Sequence, residues 1–234
     1  MHDAIVISDI HLGSSVCQAR LISDLLKSIE AGDIQTRRLI INGDLFDGWD
    51  FRKLKKSHWK VLSHIRKVAG ISEVIWIRGN HDGPAEIISH LIGVDFLDEY
   101  EMESGGRRIL LLHGDRFDSF IAERPVLTRL ADNFYRLIQR LDRSFCLARL
   151  LKKGSKTFLR CSEQIRDKAR EYAAKRGFDC VVCSHVHMAT EDRSGSVEYY
   201  NTGCWTESPC HYLAISDGDL SVRRAVWKKG IEAD

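Results

Sequence analysis

Five short polar clusters carry residues able to ligate a metal ion or move a proton. They are Ser8-Asp9-Ile10-His11, Asn42-Gly43-Asp44-Leu45-Phe46-Asp47, Arg78-Gly79-Asn80-His81-Asp82, His113-Gly114-Asp115 and Ser184-His185-Val186-His187. Asp9-x-His11 and His185-x-His187 each project two donors from one segment, and Asp44 and Asn80 add oxygen donors. Taken singly, an Asp or His in such a place reads as a turn residue. Together they form a mixed set of carboxylate, amide oxygen and imidazole. That set suits Mn²⁺, Fe²⁺ or Zn²⁺, and the lack of Cys among the donors argues against a structural zinc site. Seven candidates (Asp9, His11, Asp44, Asn80, His113, His185, His187) exceed what one ion needs. Two divalent ions sharing one carboxylate fit the count.

These clusters need elements to converge them. The first hundred residues alternate apolar runs with amphipathic stretches, the βαβ pattern of an α/β protein. Strands are expected at Ala4–Ser8, Arg38–Asn42 and Glu73–Arg78, each ending at one of the clusters. Helices are expected between them, over Val16–Ala31 (Leu21, Leu25, Leu26, Ile29) and Ser57–Val68 (Val61, Leu62, Ile65, Val68). Short strands follow over 94–113, then again at 179–184, 197–200, 211–216 and 220–227. Gly105-Gly106 and Asp217-Gly218-Asp219 read as hairpin turns. All five clusters thus fall at strand ends, where α/β folds place their sites.

Composition bounds the rest. The 234 residues hold 35 Lys+Arg against 33 Asp+Glu and are 44% hydrophobic, a globular composition that excludes disordered, collagen-like and coiled-coil classes. No apolar run is long enough to span a bilayer, and Met1 leads almost directly into a strand without a signal-peptide pattern. With seven Cys, an odd number, the expectation is reduced thiols and a cytoplasmic location. Cys180-Val181-Val182-Cys183 is a C-x-x-C, but strand alternation points its thiols to opposite faces, so buried structural thiols are expected rather than a redox or zinc pair.

The chain resembles the calcineurin-like metallophosphoesterase superfamily, whose pattern D-x-H, G-D-x-x-D, G-N-H-[DE], H and G-H-x-H is matched by Asp9-x-His11, Gly43-Asp44-x-x-Asp47, Gly79-Asn80-His81-Asp82, His113 and His185-x-His187. Ser184 stands where Gly is usual. The resemblance implies a four-layer αββα sandwich and a dinuclear centre. Asp9, His11, Asp44 and His187 would hold one ion, and Asp44, Asn80, His113 and His185 the other, with Asp44 bridging. A hydroxide generated there attacks phosphorus in line with the leaving oxygen. His81 is then placed as proton donor, with Asp47 and Asp82 orienting His81 and the ligand loops, and Asp115 either doing the same or capping a turn.

Residues 120–176 differ from their surroundings. They carry 15 Lys+Arg and 6 Asp+Glu, a net +9, against −7 for the rest. Leu127, Leu130, Phe134, Leu137, Ile138, Leu141 and Phe145 form a helical apolar stripe, and Arg136, Arg140 and Arg143 share one face near it. The segment reads as a basic helical insert within a single domain spanning 1–234. Gly43 to Trp49, His113 to Asp118 and Tyr199 to Gly203 resemble the UDP-2,3-diacylglucosamine pyrophosphatase group of lipid A synthesis, which carries a helical lid at this point. His81 stands where the best-known members have Arg, and Cys204 where looser relatives have Asp. That resemblance implies an acylated nucleotide sugar as substrate, Mn²⁺ as the metal, peripheral contact with the inner membrane and no protein partner. Two alternatives stand beside it. The stripe packs on the body with its cations solvated, or the +9 segment tracks a nucleic-acid backbone in a nuclease or nucleotide phosphodiesterase. A metal-free scaffold would not need all seven donors.

Overall fold

The computed structural model describes residues 1–83, 85–118 and 155–226. The chain runs β1 (Ala4–Ile7), α1 (Ala19–Glu30), β2 (Arg38–Asn42), α2 (Lys56–Val68), β3 (Glu73–Ile77), α3 (Glu86–Ile92), β4 (Asp95–Leu97), β5 (Glu99–Ser104) and β6 (Arg107–Leu112). It continues as α4 (Lys156–Lys175), β7 (Cys180–Cys183), β8 (Thr190–Asp192), β9 (Glu198–Asn201), β10 (His211–Ser216) and β11 (Asp219–Arg224). One sheet has the order β11-β10-β1-β2-β3-β4 and the other β5-β6-β7-β9-β8. In the first, β1, β2 and β3 are mutually parallel, and in the second β6, β7 and β9 are.

Alternation along the strands sorts side chains into layers. Ala4, Val6, Ile40, Ile75 and Ile77 of the first sheet pack against Met102, Ile109, Leu111, Cys180, Val182 and Tyr200 of the second. The opposite faces are covered by helices. Ile5, Ile7, Leu39, Ile41 and Trp76 meet Ile22, Leu26 and Ile29 of α1 and Val61, Ile65 and Val68 of α2. Leu110, Leu112, Val181 and Cys183 meet Ala169 and Ala173 of α4. The result is the expected αββα sandwich. Each fully buried aliphatic side chain contributes roughly 1.5–3 kcal/mol of transfer free energy, so both sheets are strongly held in register by their faces.

Cys180 and Cys183 are free, fully buried thiols on opposite faces of β7, one between the sheets and one under α4. The expected hairpins form at Gly105-Gly106, joining β5 to β6, and at Asp217-Gly218, joining β10 to β11. Two elements fall outside the sequence expectation. α3 lacks a buried stripe, with Ile87 and Leu91 exposed, and β8 is a three-residue edge strand of polar residues.

α4 is the C-terminal part of the charged 120–176 segment. Ser155 caps it, its side chain accepting from the Phe158 amide at 3.3 Å. Three cations in or beside it pair with the acidic body. Arg166 and Arg170 pair with Asp192, and Arg176 pairs with Glu99 and Glu101. The apolar stripe of residues 127–145 and the face formed by Arg136, Arg140 and Arg143 lie outside the described residues. No helix among the described residues is long and apolar enough to cross a membrane.

Candidate metal centre

The parallel strands of both sheets end at one place. β1, β2 and β3 deliver Asp9, His11, Asp44 and Asn80, while β6 and β7 deliver His113, His185 and His187. The loops are tied to one another by backbone bonds. Asp9 N–H donates to Gly43 O, His11 N–H to Asp44 O and Leu12 N–H to Leu45 O, at 3.0, 3.0 and 2.8 Å, and Ser184 N–H donates to His113 O at 3.0 Å. Glycine is required where these loops meet side chains. A Cβ on Gly43 (φ +88°) would sit 2.1 Å from His113 Nδ1, and one on Gly79 would sit 2.2 Å from Asp44 Oδ1.

Backbone strain concentrates at the same residues. Six non-glycine residues among those described have left-handed backbones, and five of them are Asp9, His11, Asp44, His185 and His187. Asp and His tolerate that conformation better than most residues, but its clustering at one site marks a constraint beyond folding.

Asp44 occupies the middle. Its Oδ2 lies 3.6 Å from His11 Nε2 and 3.4 Å from His113 Nε2, and its Oδ1 accepts from His81 N–H at 2.9 Å. On one side, Asp9, His11 and His187 converge, with His187 Nε2 3.0 Å from Asp9 Oδ1 and 3.3 Å from His11 Nε2. On the other, Asn80 Oδ1 lies 3.2 Å from His113 Nε2 and 3.1 Å from His185 Nδ1. All seven expected donors are thereby brought together.

Three of the imidazoles turn one nitrogen to this common space and the other to an oxygen. His11 Nδ1 faces Asp47 Oδ1 at 3.4 Å, His113 Nδ1 faces Asn42 O at 3.1 Å, and His185 Nε2 faces Asp118 Oδ2 at 3.0 Å. Oxygen acceptors of this kind fix the tautomer that leaves the inner nitrogen free for a cation. Asp82, buried, gathers the loops: its carboxylate accepts from the Asp44, Gly79 and Phe46 amides and from Trp76 Nε1. His81 lies at the half-buried rim, its ring edge-on to His11 at 4.9 Å and its Nδ1 3.4 Å from Asp47 O. Asp115 opens the turn after His113 and adds negative charge beside that ring.

The electrostatics call for positive charge. Burial would raise the pKa of Asp44 and Asp9, yet the surrounding histidines hold both below the ordinary carboxylate value. Burial would lower the pKa of His113, but Asp44, Asp9 and Asp115 bring it to about 10. Asp9 Oδ1 is buried without a well-aligned hydrogen bond among the described residues. Divalent ions fit such a set, because they satisfy orphaned donors and neutralise adjacent carboxylates together.

Four contributors carried no assigned role in the sequence. Ser184 Oγ donates to Asn42 O at 2.5 Å and lies 2.9 Å from His113 Nδ1. Asp118 holds His185 and accepts from Cys161 of α4 at 3.5 Å. Cys204 and Glu207 approach His187. The local signal for Asp118 was its place in the His113 to Asp118 run, which does not disclose a contact with a residue 67 positions away.

An αββα sandwich with paired carboxylate–histidine clusters at the joint strand ends defines a metal-dependent phosphoesterase. Residues 3–189 match the Calcineurin-like phosphoesterase family, and the chain belongs to that family. Among solved structures, a novel archaeal phosphodiesterase is similar at 13% identity and TM-score 0.54, covering 94% of this chain and 98% of its own. Yfce, a phosphoesterase from E. coli, is similar at 17% identity and TM-score 0.49, covering 94% and 95%. Vps29 complexed with zinc, from Entamoeba histolytica, is similar at 15% identity and TM-score 0.45, covering 94% and 97%. No curated protein sequence matches the chain.

Proposed function

We propose that the protein hydrolyses the pyrophosphate of an acylated nucleotide sugar of the UDP-2,3-diacylglucosamine type, with Asp9, His11, Asp44 and His187 holding one divalent ion and Asp44, Asn80, His113 and His185 a second. The observation that carries the dinuclear reading is the position of Asp44 Oδ2 between His11 and His113. When bound, two such ions polarise the phosphoryl oxygens and supply an acidic water for in-line attack. The chain's own residues do the rest. Asp47, Asn42 and Asp118 set the tautomers of His11, His113 and His185. Asp82 fixes the loops that carry Asp44 and Asn80, and His81 at the rim holds the proton that the leaving oxygen takes up. The mixed O and N donors suit Mn²⁺, with Fe²⁺ and Zn²⁺ as competitors.

Support for the substrate comes from the sequence runs around Asp44, His113 and Asn201 and from the basic, apolar segment beginning at residue 120. α4 roots that segment on the second sheet, and Cys161 of α4 touches Asp118 beside the site. In this reading the remainder acts as a lid over the acyl chains within a single domain, and Arg136, Arg140 and Arg143 meet the pyrophosphate. Location in the cytoplasm, with the lid touching the membrane surface, follows from such a substrate.

Replacing the three arginines with Ala should weaken hydrolysis of an acyl-UDP-sugar at least tenfold while sparing a small chromogenic phosphodiester. Each direct charge contact to phosphate contributes about 1.5–3 kcal/mol. A parallel fall in both activities, or none in either, would overturn the lid assignment.

A further inference from the structure

The loop after β9 leaves a second set of donors against the metal centre. His187, Cys204 and Glu207 each place one ligand-type atom within 4.8 Å of the others. Cys204 and Glu207 are 4% and 6% exposed, and the hydrolytic role proposed above uses neither.

The loop is held by contacts independent of these three side chains. Thr202 Oγ1 lies 2.5 Å from Ser8 Oγ, and Gly203 N–H donates to Asn201 Oδ1 at 3.1 Å. Trp205, fully buried, donates its amide to Asp9 O at 3.0 Å and accepts from Gln18 N–H at 2.8 Å. The donors are therefore preset by the same backbone that positions Asp9.

Their chemistry differs from that of the main centre. Carboxylates, an amide oxygen and imidazoles make the main set hard to borderline, whereas a cysteine sulfur selects softer, thiophilic ions. Imidazole, thiolate and carboxylate are all zinc ligands, and three protein donors leave a fourth position open. We propose that His187, Cys204 and Glu207 form a further cation position, selective for a thiophilic divalent ion such as Zn²⁺ or Co²⁺, that shares His187 with the Asp9–His11 cluster. On coordination the Cys204 sulfur binds as thiolate and its proton passes to solvent. Because His187 serves both positions, an ion drawn toward Cys204 competes with one held by Asp9 and His11. A zinc-class ion would then act as an inhibitor of the Mn²⁺-loaded protein.

Cobalt reports the bond directly, since a thiolate ligand gives Co²⁺ an intense near-ultraviolet charge-transfer band that oxygen and imidazole ligands do not. Titrating the purified full-length protein with CoCl₂ should produce this band. It should vanish in Cys204→Ser and persist in Cys17→Ser and Cys210→Ser, the two neighbouring thiols. Glu207→Gln should keep the band but raise the cobalt concentration needed for it about tenfold or more. Retained thermal melting and Mn²⁺ stoichiometry in Cys204→Ser would show that the variant is folded. No band in the wild type, or a band unchanged in Cys204→Ser, overturns the proposal. The readout does not depend on turnover, so it stands or falls separately from the phosphoesterase substrate.

Discussion

Asp118 Oδ2 lies 3.0 Å from His185 Nε2, while the other ring nitrogen of His185 lies 3.1 Å from Asn80 Oδ1. The imidazole is thus held from outside by a carboxylate and turned inward toward an amide oxygen, the carboxylate–histidine arrangement common around ligating histidines. Asp118→Ala should weaken Mn²⁺ binding by about 10–100-fold, and Asp118→Asn, which keeps an acceptor oxygen, should recover part of it. Isothermal titration of both variants checks this. Equal affinity in Asp118→Ala and the wild type would remove Asp118 from the site.

Asp44 and His81 should separate metal binding from turnover. Asp44 lies between both donor groups, so Asp44→Ala should lose metal. A His81 ring nitrogen lies within 4.8 Å of donor atoms of His11 and Asp44, but His81 is outside the seven proposed ligands, so His81→Ala should retain metal. Positioned proton donors contribute about 10²–10⁴-fold, and His81→Ala should lose at least roughly tenfold in kcat. Elemental analysis beside steady-state rates distinguishes them; full metal occupancy in Asp44→Ala would contradict the assignment.

Two groups at the site contribute to the pH dependence of the metal-free protein in the same direction. His113 sits at about 10 in the folded chain against 6.5 when unfolded, so its stabilising contribution is complete below pH 6.5 and is lost as pH rises toward 10. Burial and the Asp44 charge raise Asp82 to about 7 from 3.8, so the folded state holds its proton longer and stability again falls as pH rises across that interval. Calorimetry in a chelator should show Tm decreasing from pH 5 to 9. A divalent ion held by His113 as proposed would displace that proton, so Mn²⁺ affinity should rise over the same range. A Tm that increases from pH 7 to 9 in chelator would refute this.

Gly43→Ala tests how tightly the loops are fitted. Its Cβ would sit 2.1 Å from His113 Nδ1 at a φ of +88°. The substitution should cost about 1–3 kcal/mol in stability and should also weaken metal binding, because the ring it displaces is one of the proposed ligands. Chemical denaturation and titration together check it. A variant with unaltered stability would mean the loop relaxes freely.

The strands were legible because buried parallel strands read as unbroken apolar runs, Ala4-Ile5-Val6-Ile7 and Leu39-Ile40-Ile41 among them. The donor clusters were legible because donors share short segments. What escaped was non-local or weakly patterned. Asp118 meets His185 only after α4 and β7 have folded back on the site, and Glu207 meets His187 across β8 and β9. α3 and β8 bury too little apolar surface to leave a period. The face bearing Arg136, Arg140 and Arg143 lies outside the described residues.

The donors come from two sheets: Asp9, His11, Asp44 and Asn80 from one, His113, His185 and His187 from the other. An ion gripped by both groups is therefore a rivet through the sandwich. By linkage, its binding free energy adds to the cohesion of the two halves. The converse also holds. A slip between the facing layers, such as one caused by trimming Ile40 or Val182 in the inter-sheet core, would change the spacing of the donors without touching any of them. The centre is in this sense a gauge of how the halves are seated.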